Sequence, residues 1–332
     1  MLNTTAATGE RTAHSEFCEG NPEFPVSPGR MHGSGSAFGT FGELLQGRLQ
    51  PGNRDFLVTL PLARWSTASF TWRPDRPLEA EPAGKRKSWE LADRMLRHYG
   101  VPGGGTLTLS SELKEGKGMA SSSADLVATA RAVGKALGVR MPAATIEDFI
   151  RTIEPTDGVM HDGVVAFYHR EVRLCARLGD VPPMTVVGVD EGGEIDTVVY
   201  NRVPKSFTPG ETAEYRRMLH VLAEALRRGD VPAVGRIATR SAQMNQRFQY
   251  KRLLPDLLEI CRDTGSLGVV AAHSGTKLGI LLSRTDPEHD ERLAAVTGAC
   301  LGLRADITVD HTLSAPVYPY VSPAGASISQ GK

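Results

Sequence analysis

No segment constrains this chain more than Glu115-Gly-Lys-Gly-Met-Ala-Ser-Ser-Ser-Ala-Asp125. Before it runs a strand-like stretch, Gly105-Thr-Leu-Thr-Leu-Ser110, and after it Val127, Ala130, Val133 and Leu137 recur at helical spacing over Ala120–Leu137. A glycine/serine loop that passes straight from strand into helix lets backbone approach a ligand closely. It also leaves N–H groups exposed at the positive end of a helix dipole, where phosphate is stabilised. Serine hydroxyls at such a place can take phosphate oxygens or Mg²⁺. A plain glycine-rich turn whose serines cap the helix fits the same residues. The loop is not a Walker A motif, because G-x-x-x-x-G-K-[ST] does not occur in the chain.

Three further segments carry chemistry. Ile153-Glu-Pro-Thr-Asp-Gly158 closes a helix expected over Ala143–Ile153 and sets the carboxylates of Glu154 and Asp157 three residues apart. Beside a phosphate loop they would divide into a metal ligand and a base or charge partner for a hydroxyl; helix termination with an Asx turn is the other reading. Ala271-Ala-His-Ser-Gly-Thr-Lys-Leu-Gly279 is a small polar turn between two apolar runs, either a hairpin or hydroxyls reaching into a site. His273 there fits a hydrogen-bonded turn residue better than a base. Gly39-Thr-Phe-Gly-Glu-Leu-Leu-Gln-Gly47 sets closely spaced glycines around Glu43.

A length of 332 residues suggests two domains or one large one. Residues 1 to about 35 lack either periodicity and read as a mobile extension, with folded structure starting near Ala37. Strands are expected at Phe56–Leu60 and Arg64–Trp72, a loop at Arg73–Lys87, and a helix carrying Trp89, Leu91, Met95, Leu96 and Tyr99 that Gly100 ends. Strands at Gly163–Tyr168, Met184–Val189 and Ile195–Tyr200 follow. Helices are expected at Gly210–Arg228, Val231–Gln246 and Leu253–Thr264, paired strands at Gly268–Ala272 and Leu278–Leu282, then a final helix and a strand near Val309. The class is α+β, and the absence of a linker-like stretch implies that the two halves share an extensive interface.

Composition excludes several classes. Lys plus Arg and Asp plus Glu are both 38, so no net positive field attracts nucleic acid or acidic lipid. Cys18, Cys175, Cys261 and Cys300 are far apart, without the spacing of a zinc knuckle or disulfide framework, which suits a reducing cytoplasm. No run approaches 18 apolar residues and the first 20 lack a signal-peptide core, so neither membrane spanning nor export is expected. Ser111-Glu-Leu-Lys114 matches S-x-x-K, but its companion motifs are missing. Asp157, His161 and Asp162 lack a further ligand for a transition metal.

In this order, the four segments resemble the GHMP kinase superfamily over roughly Ala37 to Val309. Gly118-Met-Ala-Ser-Ser-Ser-Ala124 is similar to its G-L-G-S-S-A-A phosphate loop, with Met119 and Ala120 replacing Leu and Gly. Within the superfamily, F-G-E-L-L-Q-G, G-K-G-M-A-S-S-S-A-D, E-P-T-D and A-H-S-G-T look most like the L-threonine kinases of cobalamin biosynthesis. The resemblance implies a two-domain α+β fold, with an α/β domain at 36–205 holding the phosphate loop, an α+β sandwich at 206–320, an extension at 1–35 and a tail at 321–332. It implies ATP and Mg²⁺, with a small hydroxyl-bearing amino acid, L-threonine first, as acceptor. A homoserine- or mevalonate-type kinase and a non-catalytic nucleotide-binding regulator are the alternatives.

The site residues that the resemblance implies are these. Gly116, Lys117, Gly118, Met119, Ala120, Ser121, Ser122 and Ser123 would cradle the nucleotide. Ser122 and Glu154 would hold Mg²⁺, with Glu147 as a rival for the glutamate, and Asp157 would accept the hydroxyl proton. Glu43, Ser274, Gly275 and Thr276 would bind substrate or close the site. Several relatives carry a lysine just ahead of the first motif, where this chain has Phe38-Gly-Thr40; another cation must assist there, or none does.

Overall fold

The computed structural model describes residues 31–193 and 205–314. Its spine is a long antiparallel pair, β1 (His32–Leu49) and β2 (Arg54–Arg73), turned by Gly52 and Asn53 at positive φ. β1 begins at His32, ahead of the expected start at Ala37. The reason lies in what faces it. The Ala-rich helix α2 (Ser121–Ala136) runs against β1 at backbone distance: a methyl on Gly33 would sit 2.2 Å from the Ala132 carbonyl oxygen, and one on Gly35 2.5 Å from that of Ala128. A strand that meets a helix backbone needs glycine rather than apolar alternation, so it carries no period-two signal. Buried Ala124, Ala128, Ala132 and Ala136, four residues apart, form the matching helix stripe.

The expected strands at Phe56–Leu60 and Arg64–Trp72 are one strand, β2. The stretch Arg73–Lys87, expected to be a loop, contains the short edge strand β3 (Leu78–Glu81) and the start of α1 (Arg86–His98). β3 pairs in parallel with β4 (Gly104–Ser111), which flanks β2. After α2 come α3 (Ala143–Ile150) and a hairpin of β5 (Val164–Tyr168) with β6 (Arg173–Gly179). Among the described residues β6 pairs only with β5 and has no fully buried residue, which explains why its pattern gave no strand signal.

The remaining elements are β7 (Met184–Asp190), α4 (Pro209–Arg228), α5 (Val231–Asn245), α6 (Leu254–Asp263), β8 (Gly268–Ala271), β9 (Lys277–Ser283), α7 (His289–Leu301) and β10 (Asp306–His311). The strand expected at Ile195–Tyr200 lies outside the described residues. α4 opens on a capping box, in which Thr208 and Glu211 satisfy each other's backbone N–H, and ends at left-handed Gly229. Asp230 then caps α5 by accepting the Ala233 N–H at 3.0 Å.

One sheet runs in the order β10-β7-β9-β8-β1-β2-β4-β3, with β5 and β6 branching from β2. β7 therefore sits among strands from the chain's second half, although it precedes residue 206. Its run Met184-Thr-Val-Val-Gly-Val-Asp190 is wholly buried: Val186 joins the larger core, while Val187 and Val189 face α6 and α7. Among the described residues β1 meets β8 through one ladder pair, Glu43 with Ala271, and an isolated bridge joins Leu62 to Thr312. Glu43 of the ladder pair lines the cavity described next. Among the described residues, no helix is long and apolar enough to cross a membrane.

Candidate active site

Between Phe38 and Leu45 the β1–β2 register slips repeatedly, and Gly42 has φ +53°. The bulge frees two N–H groups from the ladder: Thr40 donates to the Met119 carbonyl at 3.1 Å and Gly42 to that of Gly118 at 3.2 Å. The glycine-rich loop is thus stitched to β1 from one side. From the other, the turn after β8 presses on it backbone to backbone, because a methyl on Gly275 would lie 2.3 Å from the Gly118 nitrogen. Gly116, Gly118 and Ala120 have positive φ, and α2 then begins without a side-chain cap. Ala120 in the left-handed region costs about 1–3 kcal/mol; a glycine there would be unstrained.

This uncapped helix end opens onto a cavity of about 580 Å³. Glu43, Glu154, Asp157 and Ser274 line it, as do all the expected loop residues except Lys117. Ser122 donates a hydrogen bond to one Glu154 oxygen, and Lys87 engages the other. The Ser123 hydroxyl accepts the Asp157 backbone N–H at 3.1 Å and lies 3.2 Å from its carboxylate. Burial pushes the Asp157 carboxyl up to about 6; the Ser123 hydrogen bond opposes this and the nearby Glu154 charge adds to it. Glu43 is raised well above the carboxylate range by burial and by Asp157, against the His273 backbone N–H, Lys251 and Lys205. One of its oxygens, Oε2, is buried without a hydrogen-bond partner.

Four expected residues stand differently from their assigned places. Lys117 turns out of the cavity: its ammonium lies 3.0 Å from Asp190, which also accepts the Thr276 hydroxyl at 2.5 Å. Burial opposes the Asp190 charge, but Thr276 and Lys117 hold its pKa below the ordinary range. Thr276 and Gly275 therefore fasten the closing turn; the Gly275 carbonyl accepts from Gln249 at 2.8 Å and from Lys251. Glu147 is buried against His161 Nε2 at 2.5 Å and does not line the cavity. Asp157 and His161 accordingly point to different partners.

Lys85, Arg86 and Lys87 at the start of α1, and His169 after β5, also line the cavity, and none was singled out in the sequence. Burial opposes the Lys85 charge, yet hydrogen bonds to Asp125 at 2.7 Å and Glu115 at 2.5 Å raise its pKa. A signal for the cations was present. Three basic residues and no acidic one open α1, against its dipole, which makes sense where anions gather in front of it. These residues bring lysine and arginine side chains to the cavity, where the lysine ahead of Gly39 is missing. His169 stands alone in its stretch, and no spacing marks it.

An uncapped, glycine-hinged helix end, a serine–carboxylate pair and a second buried carboxylate within one cavity are the groups that phosphoryl transfer calls for. The family model of the GHMP kinases N terminal domain matches residues 86–170, and that of the GHMP kinases C terminal matches 222–296. The chain belongs to the GHMP kinases and is a phosphotransferase of the type that takes an alcohol group as acceptor. It is similar to the L-threonine kinase of Citrobacter freundii, at 28% identity over 75% of this chain and 85% of that one. The L-threonine kinase of Salmonella typhimurium is 27% identical over 73% and 80% respectively. Homoserine kinase from Cytophaga hutchinsonii shares the fold, with a TM-score of 0.65 at 15% identity, covering 86% of this chain and 95% of that one.

Proposed function

We propose that this protein transfers the γ-phosphoryl group of ATP to the hydroxyl of a small amino acid, L-threonine, giving O-phospho-L-threonine. The observation that carries the reading is the placement of Asp157 beside the Ser122–Glu154 pair at the N-terminus of α2. A pure nucleotide binder has no use for a buried carboxylate poised near neutrality. Similarity to the two L-threonine kinases supports the choice of acceptor.

In this mechanism the N–H groups of Gly116 to Ser123 cradle the triphosphate, with Lys85 and Lys87 adding positive charge. Ser122 and Glu154 offer hard oxygen ligands of the kind Mg²⁺ takes, and the ion would neutralise phosphate charge when bound. Asp157 orients the acceptor hydroxyl and takes its proton, and Glu43, whose ionised form an adjacent ammonium favours, receives the acceptor's ammonium on its unpartnered oxygen. Fixed positions supply most of the rate. A screen of ADP formation over threonine, serine, homoserine and mevalonate tests the reading. Release that depends on added threonine is expected; the same slow release with or without any alcohol favours the regulator.

Two predictions follow from the electrostatics. Glu154→Gln keeps shape and removes charge, so apparent Mg²⁺ affinity should drop about 10- to 100-fold, with turnover partly recovered at high Mg²⁺. Glu147→Gln should leave Mg²⁺ dependence alone and lower the melting temperature through loss of the His161 contact. The reverse pattern in a Mg²⁺ titration would transfer the metal role to Glu147. The second concerns pH. Asp157 accepts a proton only when ionised, so activity is present above its pKa and is lost as pH falls through it. With the free group at about 6, and Mg²⁺ favouring ionisation, the acid limb of kcat/KM should fall at or below about 6. A limb centred above 7 would speak against Asp157.

A further inference from the structure

We propose that His169 belongs to the subsite for the acceptor's carboxylate, its ring N–H donating a hydrogen bond to that group. The inference rests on the amino-acid acceptor proposed above and deepens it. His169 is 3% exposed, lines the cavity with Glu43 and Asp157, and has no hydrogen-bond partner on either ring nitrogen. Buried polar atoms are rarely left unpaired, and two of them on a residue that lines a cavity call for a ligand. The residue is held firmly. Its carbonyl accepts the Thr156 N–H at 3.1 Å, and its ring meets His273 edge-on with centroids 5.1 Å apart.

Charge decides which end of an amino acid His169 receives. Behind it Asp55 is shared by Arg48 at 2.6 Å and Arg170 at 3.0 Å, and Lys205 adds a further cation. The Asp55 carboxylate is thus set against three cations, just outside the cavity lining. Burial lowers the His169 pKa to about 3, opposed by Asp55 and aided by Arg170 and Lys205, so the ring is neutral and keeps one N–H and one lone pair. A carboxylate accepts that N–H and is drawn by the surplus positive charge. An ammonium gains nothing from the charge there and fits the Glu43 side instead.

The test compares kcat/KM for L-threonine and L-threoninamide at saturating ATP and Mg²⁺ in the full chain. The parent should prefer threonine by about 10- to 100-fold. His169→Leu should lower threonine's kcat/KM by about 10-fold or more and leave threoninamide's little changed, with the same KM for ATP. His169→Gln, which retains an N–H donor, should restore part of the preference. Should the leucine variant not fold, parent imidazole ¹⁵N resonances carry the test: with a non-transferable ATP analogue they should move on adding threonine and stay put with threoninamide. Equal losses on both acceptors, an unchanged preference, or shifts common to both ligands would overturn the assignment. Failure of the acceptor reading shows separately, as a parent that turns over neither compound.

Discussion

Asp157→Asn is expected to lower kcat by about 10²-fold or more while nucleotide affinity and the fold survive. The substitution keeps size and can keep the contact with Ser123, but it removes the proton acceptor. Stability should not suffer. A carboxyl whose folded pKa is raised from 3.8 to about 6 favours folding most when protonated, and that contribution is lost as pH rises through about 6. At pH 8 the ionised Asp157 is therefore a burden on the fold, and the asparagine variant should melt at the parent's temperature or above. Single-turnover rates, nucleotide titrations and melting curves separate these effects. A variant within about two-fold of the parent in kcat would leave Asp157 as a helix-ending turn residue.

Gly275→Ala should have the next largest effect, although Gly275 itself does not line the cavity. Its Cβ would lie 2.3 Å from the Gly118 nitrogen and 2.4 Å from the Lys117 carbonyl oxygen, both backbone atoms that no rotamer change can move. The turn has little room to retreat, because Gln249 and Lys251 hold its carbonyl and Asp190 holds Thr276. The strain must then pass into the phosphate loop. Overpacking of this kind costs about 1–3 kcal/mol, and ATP affinity should fall with stability as the loop's N–H groups lose their alignment. A melting curve and a nucleotide titration indistinguishable from the parent's would show that the two loops move independently.

The chain's local grammar made most of the fold legible. Val127, Ala130 and Val133 mark α2, the alternation of Leu107 and Leu109 marks β4, and short apolar runs mark β8 and β9. What escaped obeyed other physics. The first residues of β1 are glycine and serine because a helix backbone lies on them, and β3 and β6 are sheet edges with half-exposed faces. At the site, Ser122, Ser123, Glu154 and Asp157 do come together as the motifs imply. Lys117 stands within its motif, yet its long side chain finds Asp190, a partner set by β7 rather than by neighbours in sequence. His169 and the Lys85–Lys87 cluster reach the cavity only through tertiary packing.

Transfer of label from [γ-³²P]ATP to L-threonine tests the central claim most directly. With Mg²⁺ present, radioactivity should appear in a product that co-migrates with O-phospho-L-threonine, in step with ADP, and should vanish in Asp157→Asn. Label passing only to water, or to homoserine or mevalonate in preference to threonine, would contradict the account.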